Sequence, residues 1–297
     1  MTSIVIPAHN EAQVIGRLLD SLLSQPSQAP QGFTDEIDIV VVCNGCTDDT
    51  AQVAGARGAG VRVVEIPTPS KHTALRVGDQ HARGFPRVYV DADVVISGAD
   101  VRAVARPLAA DGDGGTSVLA SAPGRELPLA GCAWSVRAYY RVWQRLPTVR
   151  QGLFGRGVIA VSEAGHARLA ALPPLMADDL AASLAFAPEE RTVVETARVV
   201  VHPPRTWGDL IRRRIRAATS TAQLEQHQRR EAATEAPAPS ARTGRADLLA
   251  LLRADPTLLP ALLVFAAAAV AARRGSRRAI EAGDFGTWLR DESSRGA

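Results

Sequence analysis

Val88-Tyr89-Val90-Asp91-Ala92-Asp93 is an apolar run that ends by delivering two carboxylates one residue apart. A β-branched and aromatic run reads as a buried strand, and acids at its end read as a turn at the strand's carboxyl edge. Paired hard oxygen donors suit magnesium or manganese, which keep waters and bind through one or two carboxylates plus substrate phosphate. A solvated Asp-x-Asp turn looks the same in isolation. What separates the two readings is the sequence that precedes the run.

Three strand–helix units lead up to it. Ser3-Ile4-Val5-Ile6-Pro7 is a short apolar run closed by proline, and Val14, Ile15, Leu18, Leu19, Leu22 and Leu23 then recur at helical spacing over residues 12–24. Pro26 and Pro30 break that helix. Residues 37–42 are β-branched, hence a buried strand. Asn44-Gly45-Cys46-Thr47-Asp48-Asp49 is a turn, with Thr47 or Asp48 as N-cap of a helix over 49–57. Residues 61–66 supply a third strand, 70–82 a third helix and 87–90 a fourth strand. This alternation implies an α/β fold with a mostly parallel central sheet and right-handed crossovers. Such sheets bind ligands at the carboxyl ends of their strands. Asn10, Asn44, Asp48 and Asp91 all fall at or just past those ends.

Downstream the pattern is less regular. Helices are expected over 98–110, 134–146 and 177–187, the last opened by Asp178-Asp179, whose charge suits a helix N-terminus. Strands are expected over 117–122, 157–161 and 192–201, and a long helix over 207–230 that begins with Arg212, Arg213, Arg214 and Arg216. Residues 231–244, rich in Ala, Pro, Ser and Thr, read as a mobile linker. Two apolar helical stretches follow, 246–254 and 258–272, the second trailed by Arg273, Arg274, Arg277 and Arg278. The second is apolar for 15 residues, short of the roughly 20 that a spanning helix needs. A buried or interface-lying helix is therefore expected, with peripheral membrane contact as one use for it.

Composition narrows the function classes. The 297 residues are 46% hydrophobic, enough for a sizeable core, with 4% aromatics and a formal charge of +3 supplied almost entirely by Arg. A nucleic-acid binder would show a basic face interleaved with aromatics, so no nucleic-acid partner is expected. The six His (His9, His72, His81, His166, His202, His227) lack metal-finger spacing. Three cysteines argue for a reducing compartment, and the chain opens directly into a strand with no secretory leader, so a cytoplasmic location is expected.

The motifs together resemble family 2 glycosyltransferases with the GT-A fold. They are Ile4-Val5-Ile6-Pro7-Ala8-His9-Asn10-Glu11, Asn44-Gly45-Cys46-Thr47-Asp48-Asp49-Thr50, Lys71-His72-Thr73-Ala74-Leu75, Asp91-Ala92-Asp93 and Ala177-Asp178-Asp179-Leu180, in family order over roughly residues 3–216. The resemblance implies an α/β, GT-A-like single domain at 1–230, with a nucleotide-sugar half at 1–95 and an acceptor half at 96–230. A linker at 231–245 and a helical C-terminal extension at 246–297 complete the expected chain. It implies transfer of a glycosyl group, hexosyl-like, from a UDP- or GDP-type nucleotide-diphosphate sugar to an acceptor hydroxyl, with inversion. The acceptor it implies is a glycan, a lipid-linked molecule or a small molecule, as in polysaccharide biosynthesis, and a cytoplasmic protein, with the inner face of the membrane as one place for it, is expected.

Residue by residue, Asp93 is the implied direct ligand of Mn2+ or Mg2+, Asp91 meets the ribose or a metal-bound water, and His202 is a candidate third ligand. Pro7, Ala8, Asn10 and Glu11 line the nucleotide pocket in the family's first loop, although helix-capping roles account for Asn10 and Glu11 equally well. Asp48 stands where the family meets base or ribose, and Cys43 and Asn44 replace the acids usual after the second strand, which leaves the nucleotide open. Lys71 reaches the diphosphate as a point charge. Asp179 occupies the catalytic carboxylate position, with Asp178 where Glu is more usual, so either can be the general base. Gly155-Arg156-Gly157 shapes the acceptor loop, and the Arg212–Arg216 cluster attracts an anion or contacts a membrane surface.

Other readings carry less. Cys43-Asn44-Gly45-Cys46 sits where a thioredoxin-like dithiol would, but the other motifs have no role in such a fold. Gly55-Ala56-Arg57-Gly58-Ala59-Gly60 follows a helix and precedes a strand, the wrong order for a dinucleotide fingerprint. A nucleotidyltransferase acting on a sugar phosphate would carry a Gly-rich loop after its first strand, where this chain has Pro7-Ala8-His9-Asn10. A non-catalytic sugar-nucleotide binding module would show donor binding without transfer.

Overall fold

The computed structural model describes residues 1–24, 37–109, 118–172, 178–231, 243–282 and 293–294. In chain order the elements are β1 (Thr2–Ala8), α1 (Ile15–Leu23), β2 (Ile37–Asn44), α2 (Thr50–Gly55), β3 (Val61–Ile66), α3 (Lys71–His81), β4 (Arg87–Val90), β5 (Val94–Val95), α4 (Gly98–Ala109) and β6 (Ala120–Glu126). They continue as α5 (Trp134–Trp143), α6 (Pro147–Gln151), β7 (Val158–Val161), α7 (Glu163–Ala170), α8 (Asp178–Leu184), β8 (Arg191–Val201), α9 (Trp207–Glu231), α10 (Arg245–Ala254) and α11 (Leu259–Glu281). Two compact units divide them: Met1–Leu127 with Gly155–Leu172 and Ala185–Val201, and Pro128–Phe154 with Pro173–Leu184 and His202–Ala297.

The first unit holds an eight-stranded sheet in the order β3-β2-β1-β4-β7-β6-β8-β5. β1, β2, β3 and β4 are parallel, as strand–helix alternation predicts. Helices cover both faces of these strands, which is why they read as continuous apolar runs. On one face Ile4, Ile6, Ile39 and Val41 pack against Ile15, Leu18, Leu19 and Leu22 of α1. Burying those four α1 side chains contributes roughly 1.5–3 kcal/mol each before entropy is charged. On the other face Val40 and Val42 meet Ala74 of α3. The second half of the sheet is mixed: β7 runs antiparallel to β4 and β6, β6 is parallel to β8, and β8 is antiparallel to β5. β6 spans Ala120–Glu126 rather than 117–122, and its pairing with β8 shifts register between Pro123 and Gly124.

The amino end of the sheet is closed by charge. Asp38, buried at the start of β2, accepts hydrogen bonds from Ser3 Oγ (3.0 Å), Arg83 N (3.0 Å) and Arg62 Nη2 (2.5 Å). Burial opposes its ionisation, yet the bonds from Arg62, Arg83 and Ser3 hold its carboxyl below the usual range.

The second unit is helical. α11 packs on α5 and α9, so residues 259–281 share a core with 134–143. Leu258, Ala261, Phe265, Ala268, Ala272 and Ser276 form the buried seam, at spacings that keep one helix face inward. Phe265 stacks on Tyr139 with ring centroids 5.1 Å apart, and the Ser276 and Thr219 hydroxyls lie 3.2 Å apart. α11 runs past the expected end at 272 to Glu281, because Arg, Ala and Glu, all good helix formers, make up most of the continuation around Gly275 and Ser276. Most of the expected linker, residues 232–242, lies outside the described residues.

Candidate active site

At the carboxyl ends of β1 and β2 the two following loops are laced together. The chain leaves β1 through Pro7 and Ala8, both buried, and turns at Asn10, whose φ of 53° is left-handed. Asparagine tolerates that conformation better than most residues. Asn10 Oδ1 accepts from Thr47 N (2.7 Å), Glu11 N donates to Thr50 Oγ1 (2.8 Å), and Ala12 N donates to Asp48 Oδ2 (3.1 Å). Asp48 Oδ1 also accepts from Thr50 N at 3.1 Å and closely from the Thr50 hydroxyl. Burial works against its charge, but the bonds from Thr50 and Ala12 win and hold the Asp48 carboxyl below its ordinary value.

Asn44 is buried. Its amide donates to Ala8 O (2.9 Å), and its own carbonyl accepts from His9 Nδ1 (2.6 Å), which places the ring proton on Nδ1. This residue ties β2 to the end of β1. Its amide nitrogen is directed at the β1 backbone, a bracing arrangement for a position that the sequence nominated for nucleotide contact.

The third loop is held by Gly45, which donates its N–H to Ile66 O at 2.8 Å in a left-handed conformation, φ 58°. A Cβ there would lie 2.8 Å from Pro69 N. α3 then starts with Ser70 as its cap, its hydroxyl accepting from Thr73 N. Lys71, the first helical residue, places Nζ 2.9 Å from Asp91 Oδ1 at the end of β4. Ala92 and Val94 are buried in the core, while Asp91 and Asp93 are half-buried beside them. Asp91 N donates to Gly157 O at 2.8 Å, and Gly157 has φ 65°. A Cβ on Gly157 would come within 2.5 Å of Val94 Cγ1 and 3.3 Å of Asp91 Oδ2. The loop before β7 therefore approaches the acidic turn as only glycine allows.

Arg156, between the left-handed Gly155 and Gly157, is a residue whose importance the sequence understated. It is buried, donates to Pro123 O at 2.9 Å, and burial brings its pKa down to about 10, with Glu195 opposing. It keeps its charge at neutral pH and pins the glycine loop to β6.

The remaining nominated residues belong to the second unit. Asp179 is exposed in the first turn of α8, whose Ala181, Ala182 and Ser183 are buried; Ser183 Oγ accepts from Leu153 N at 3.0 Å. Asp178 begins the same helix by its backbone, and Ala177 lies outside the described residues. His202 follows β8 and lines a cavity of about 100 Å³ with Cys132, Pro203 and Arg205. Among the described residues no three His, Cys, Asp or Glu side chains converge into a metal cluster. The Arg cluster of α9 is largely committed: Arg212 pairs closely with Asp209, Arg213 reaches His202 O (3.4 Å), and Arg214 lies over Tyr139 (5.9 Å). The dithiol reading finds no support. Cys43 and Cys46 are not bridged, and burial with the neighbouring Cys46 pushes the Cys43 thiol up to about 12, opposite to the depressed value that a redox dithiol needs.

Polar loops, a lysine and paired carboxylates at the carboxyl ends of parallel strands stand where open α/β sheets bind their ligands. The chain belongs to glycosyl transferase family 2, whose profile matches residues 3–155, just over half of it. It is 40% identical over 96 residues to 4,4'-diaponeurosporenoate glycosyltransferase of Staphylococcus aureus strain USA300, a stretch covering 31% of this chain and 24% of that protein. The counterpart in strain bovine RF122 is 38% identical over 98 residues, with the same coverage. The chain thus matches about a quarter of the length of these relatives. Among solved structures it is similar to glucosyl-3-phosphoglycerate synthase from Mycobacterium tuberculosis in complex with Mn2+, UDP and phosphoglyceric acid. That likeness has a TM-score of 0.52 and 22% identity, over 75% of this chain and 78% of that one. The same synthase in complex with UDP gives 0.51 and 23%, over 74% and 78%. These likenesses identify the fold as GT-A-like.

Proposed function

We propose that this protein transfers a glycosyl group, with inversion, from a nucleotide-diphosphate sugar of the UDP or GDP type to an acceptor hydroxyl, and does so with a divalent cation. The observation that carries the reading is the Lys71–Asp91 pair, 2.9 Å apart at the end of β4, beside Asp93 and the laced loops. The donor set fits Mn2+ or Mg2+: Asp93 and Asp91 offer hard oxygens, and two carboxylates with substrate phosphate make up the protein share that such ions take. When bound, the cation would offset the charge that grows on the departing diphosphate as the glycosidic bond breaks.

The chain's own residues divide the rest of the work. Asp93 would hold the cation that meets the diphosphate end of the donor, Asp91 would meet the ribose or a metal-bound water, and Lys71 exchanges its Asp91 partner for a phosphate oxygen. Asn10, Glu11 and Asp48 shape the nucleotide loops, while Asn44 braces them. Asp179, exposed at a helix start, takes the proton from the acceptor hydroxyl as it attacks, with Asp178 as its neighbour. Residues 1–230 act as the transferase domain and 246–297 as its helical extension. Cys43, Cys46 and Cys132 form no disulfide, which suits a cytoplasmic setting.

The test is a mass-spectrometric panel of UDP- and GDP-sugars incubated with the protein and Mn2+. Slow donor hydrolysis of one sugar nucleotide, lost on chelation, is expected. Binding with neither hydrolysis nor transfer to any offered acceptor would make the protein a binding module instead.

A further inference from the structure

α11 carries a second surface that the transferase reading does not use. Its inward seam is packed within the second unit, but its outward side is apolar at one end and cationic at the other. Leu259 (50% exposed), Leu263 (65%) and Val270 (46%) stand out of the fold, with Ala266 and Ala267 exposed among them. At 100° per residue, Leu259, Leu263, Ala266 and Val270 fall within one stripe about 60° wide. At the same spacing Arg277 falls inside the stripe, Arg273 and Arg274 about 20° to either side of it and Arg278 about 60° beyond; all four are exposed. Glu281 is the acid at its end.

Pro256–Glu281 is long and apolar enough by composition to cross a membrane, and only 28% of its most apolar window is buried. The packing argues against crossing. The Phe265–Tyr139 stack and the Ser276–Thr219 contact bind the opposite face to α5 and α9, so the helix cannot enter a bilayer alone. The exposed apolar stretch 259–270 is also only about 17 Å long at 1.5 Å per residue, roughly half of a hydrocarbon core.

We propose that this stripe is a monotopic membrane-docking surface for anionic lipid. The Leu259–Val270 end dips into the acyl boundary, and Arg273, Arg274, Arg277 and Arg278 meet lipid phosphates. The charge complementarity selects the occupant: the same stripe on a second copy would bring eight guanidinium groups to one assembly with a single acid on each stripe. A surface helix with an apolar face and an arginine patch, held by the protein on its other side, is what interfacial binding requires.

The experiment is flotation of the full chain with vesicles of phosphatidylcholine alone or with 30% phosphatidylglycerol, at low and high salt, in wild type and two variants. The wild type binds the phosphatidylglycerol vesicles and is released by salt. Replacing the four arginines by Gln weakens binding by about five-fold per residue, the effect of one basic group near an anionic surface. Leu259→Gln with Leu263→Gln weakens it at least ten-fold at low salt. All six positions are exposed, so circular dichroism should show an unaltered fold. A chain that ignores both vesicles overturns the proposal. So does equal binding to neutral vesicles, or binding to anionic vesicles that the leucine variant leaves intact. Concentration-dependent dimerisation in sedimentation, abolished by the leucine variant and accompanied by no vesicle binding, would assign the stripe to a second copy instead. None of these readouts depends on glycosyl transfer.

Discussion

Gly157→Ala tests the close approach of the β7 loop to the acidic turn. Two costs add at this position. An alanine held at φ 65° loses about 1–2 kcal/mol to the left-handed conformation. Its Cβ also lies 2.5 Å from Val94 Cγ1 and 3.3 Å from Asp91 Oδ2, and Val94 is buried in the core. Relieving such an overlap costs typically ~1–3 kcal/mol. Gly58 separates the two terms: it has φ 80°, and a Cβ added there would meet nothing within 4 Å. Gly58→Ala should therefore lose about 1–2 kcal/mol and Gly157→Ala about 2–5, both read by urea unfolding. The second readout is donor binding. Moving Val94 or Asp91 misplaces the carboxylates, so Gly157→Ala should weaken Mn2+-dependent UDP binding by roughly ten-fold or more (about 1.4 kcal/mol), while Gly58→Ala leaves it unchanged. Equal destabilisation by the two substitutions, with equal donor affinity, would refute the steric argument.

Three further outcomes are expected. Asp38→Asn removes a buried carboxylate that accepts from Ser3, Arg83 and Arg62, and should lose ~2–4 kcal/mol in urea unfolding. The depressed folded-state pKa of Asp38, shared in direction by Asp48, means that their stabilisation is present above the unfolded carboxyl value near 4 and fades as pH falls through the lower folded values; a wild-type midpoint that does not drop below about pH 4, or drops equally in Asp38→Asn, would contradict this. Asp179→Asn should bind donor normally and lose transfer by roughly 10²–10⁴-fold, and unimpaired turnover would take Asp179 out of the base role.

The first half of the fold could be read from the chain because its parallel strands are covered on both faces. β3 and β4 have the bounds their β-branched runs suggest, 61–66 and 87–90. The second half could not. β6 carries Pro123-Gly124-Arg125, which has no strand character of its own, and it is held by long-range pairing with β8. α7 buries only Gly165, so it has no apolar period to detect. Nothing local announces that β7 runs antiparallel beside β4. The candidate site shows the same division. Lys71 and Asp91 were nominated by motif, and the structure pairs them. Sequence pattern could not distinguish Asn44, buried against the β1 backbone, from a ligand-facing residue. Nor could it show that Arg156 would be buried, since an arginine between two glycines reads as a solvated loop.

The carboxylates after β4 carry the proposed cation and donor chemistry. Calorimetric titration of UDP and GDP with and without Mn2+, in wild type and Asp93→Asn, tests them directly. Binding of one nucleotide that strengthens with the metal, and loses that strengthening in Asp93→Asn, is the expected result. Metal-independent binding, or a variant that responds to Mn2+ as the wild type does, would contradict it.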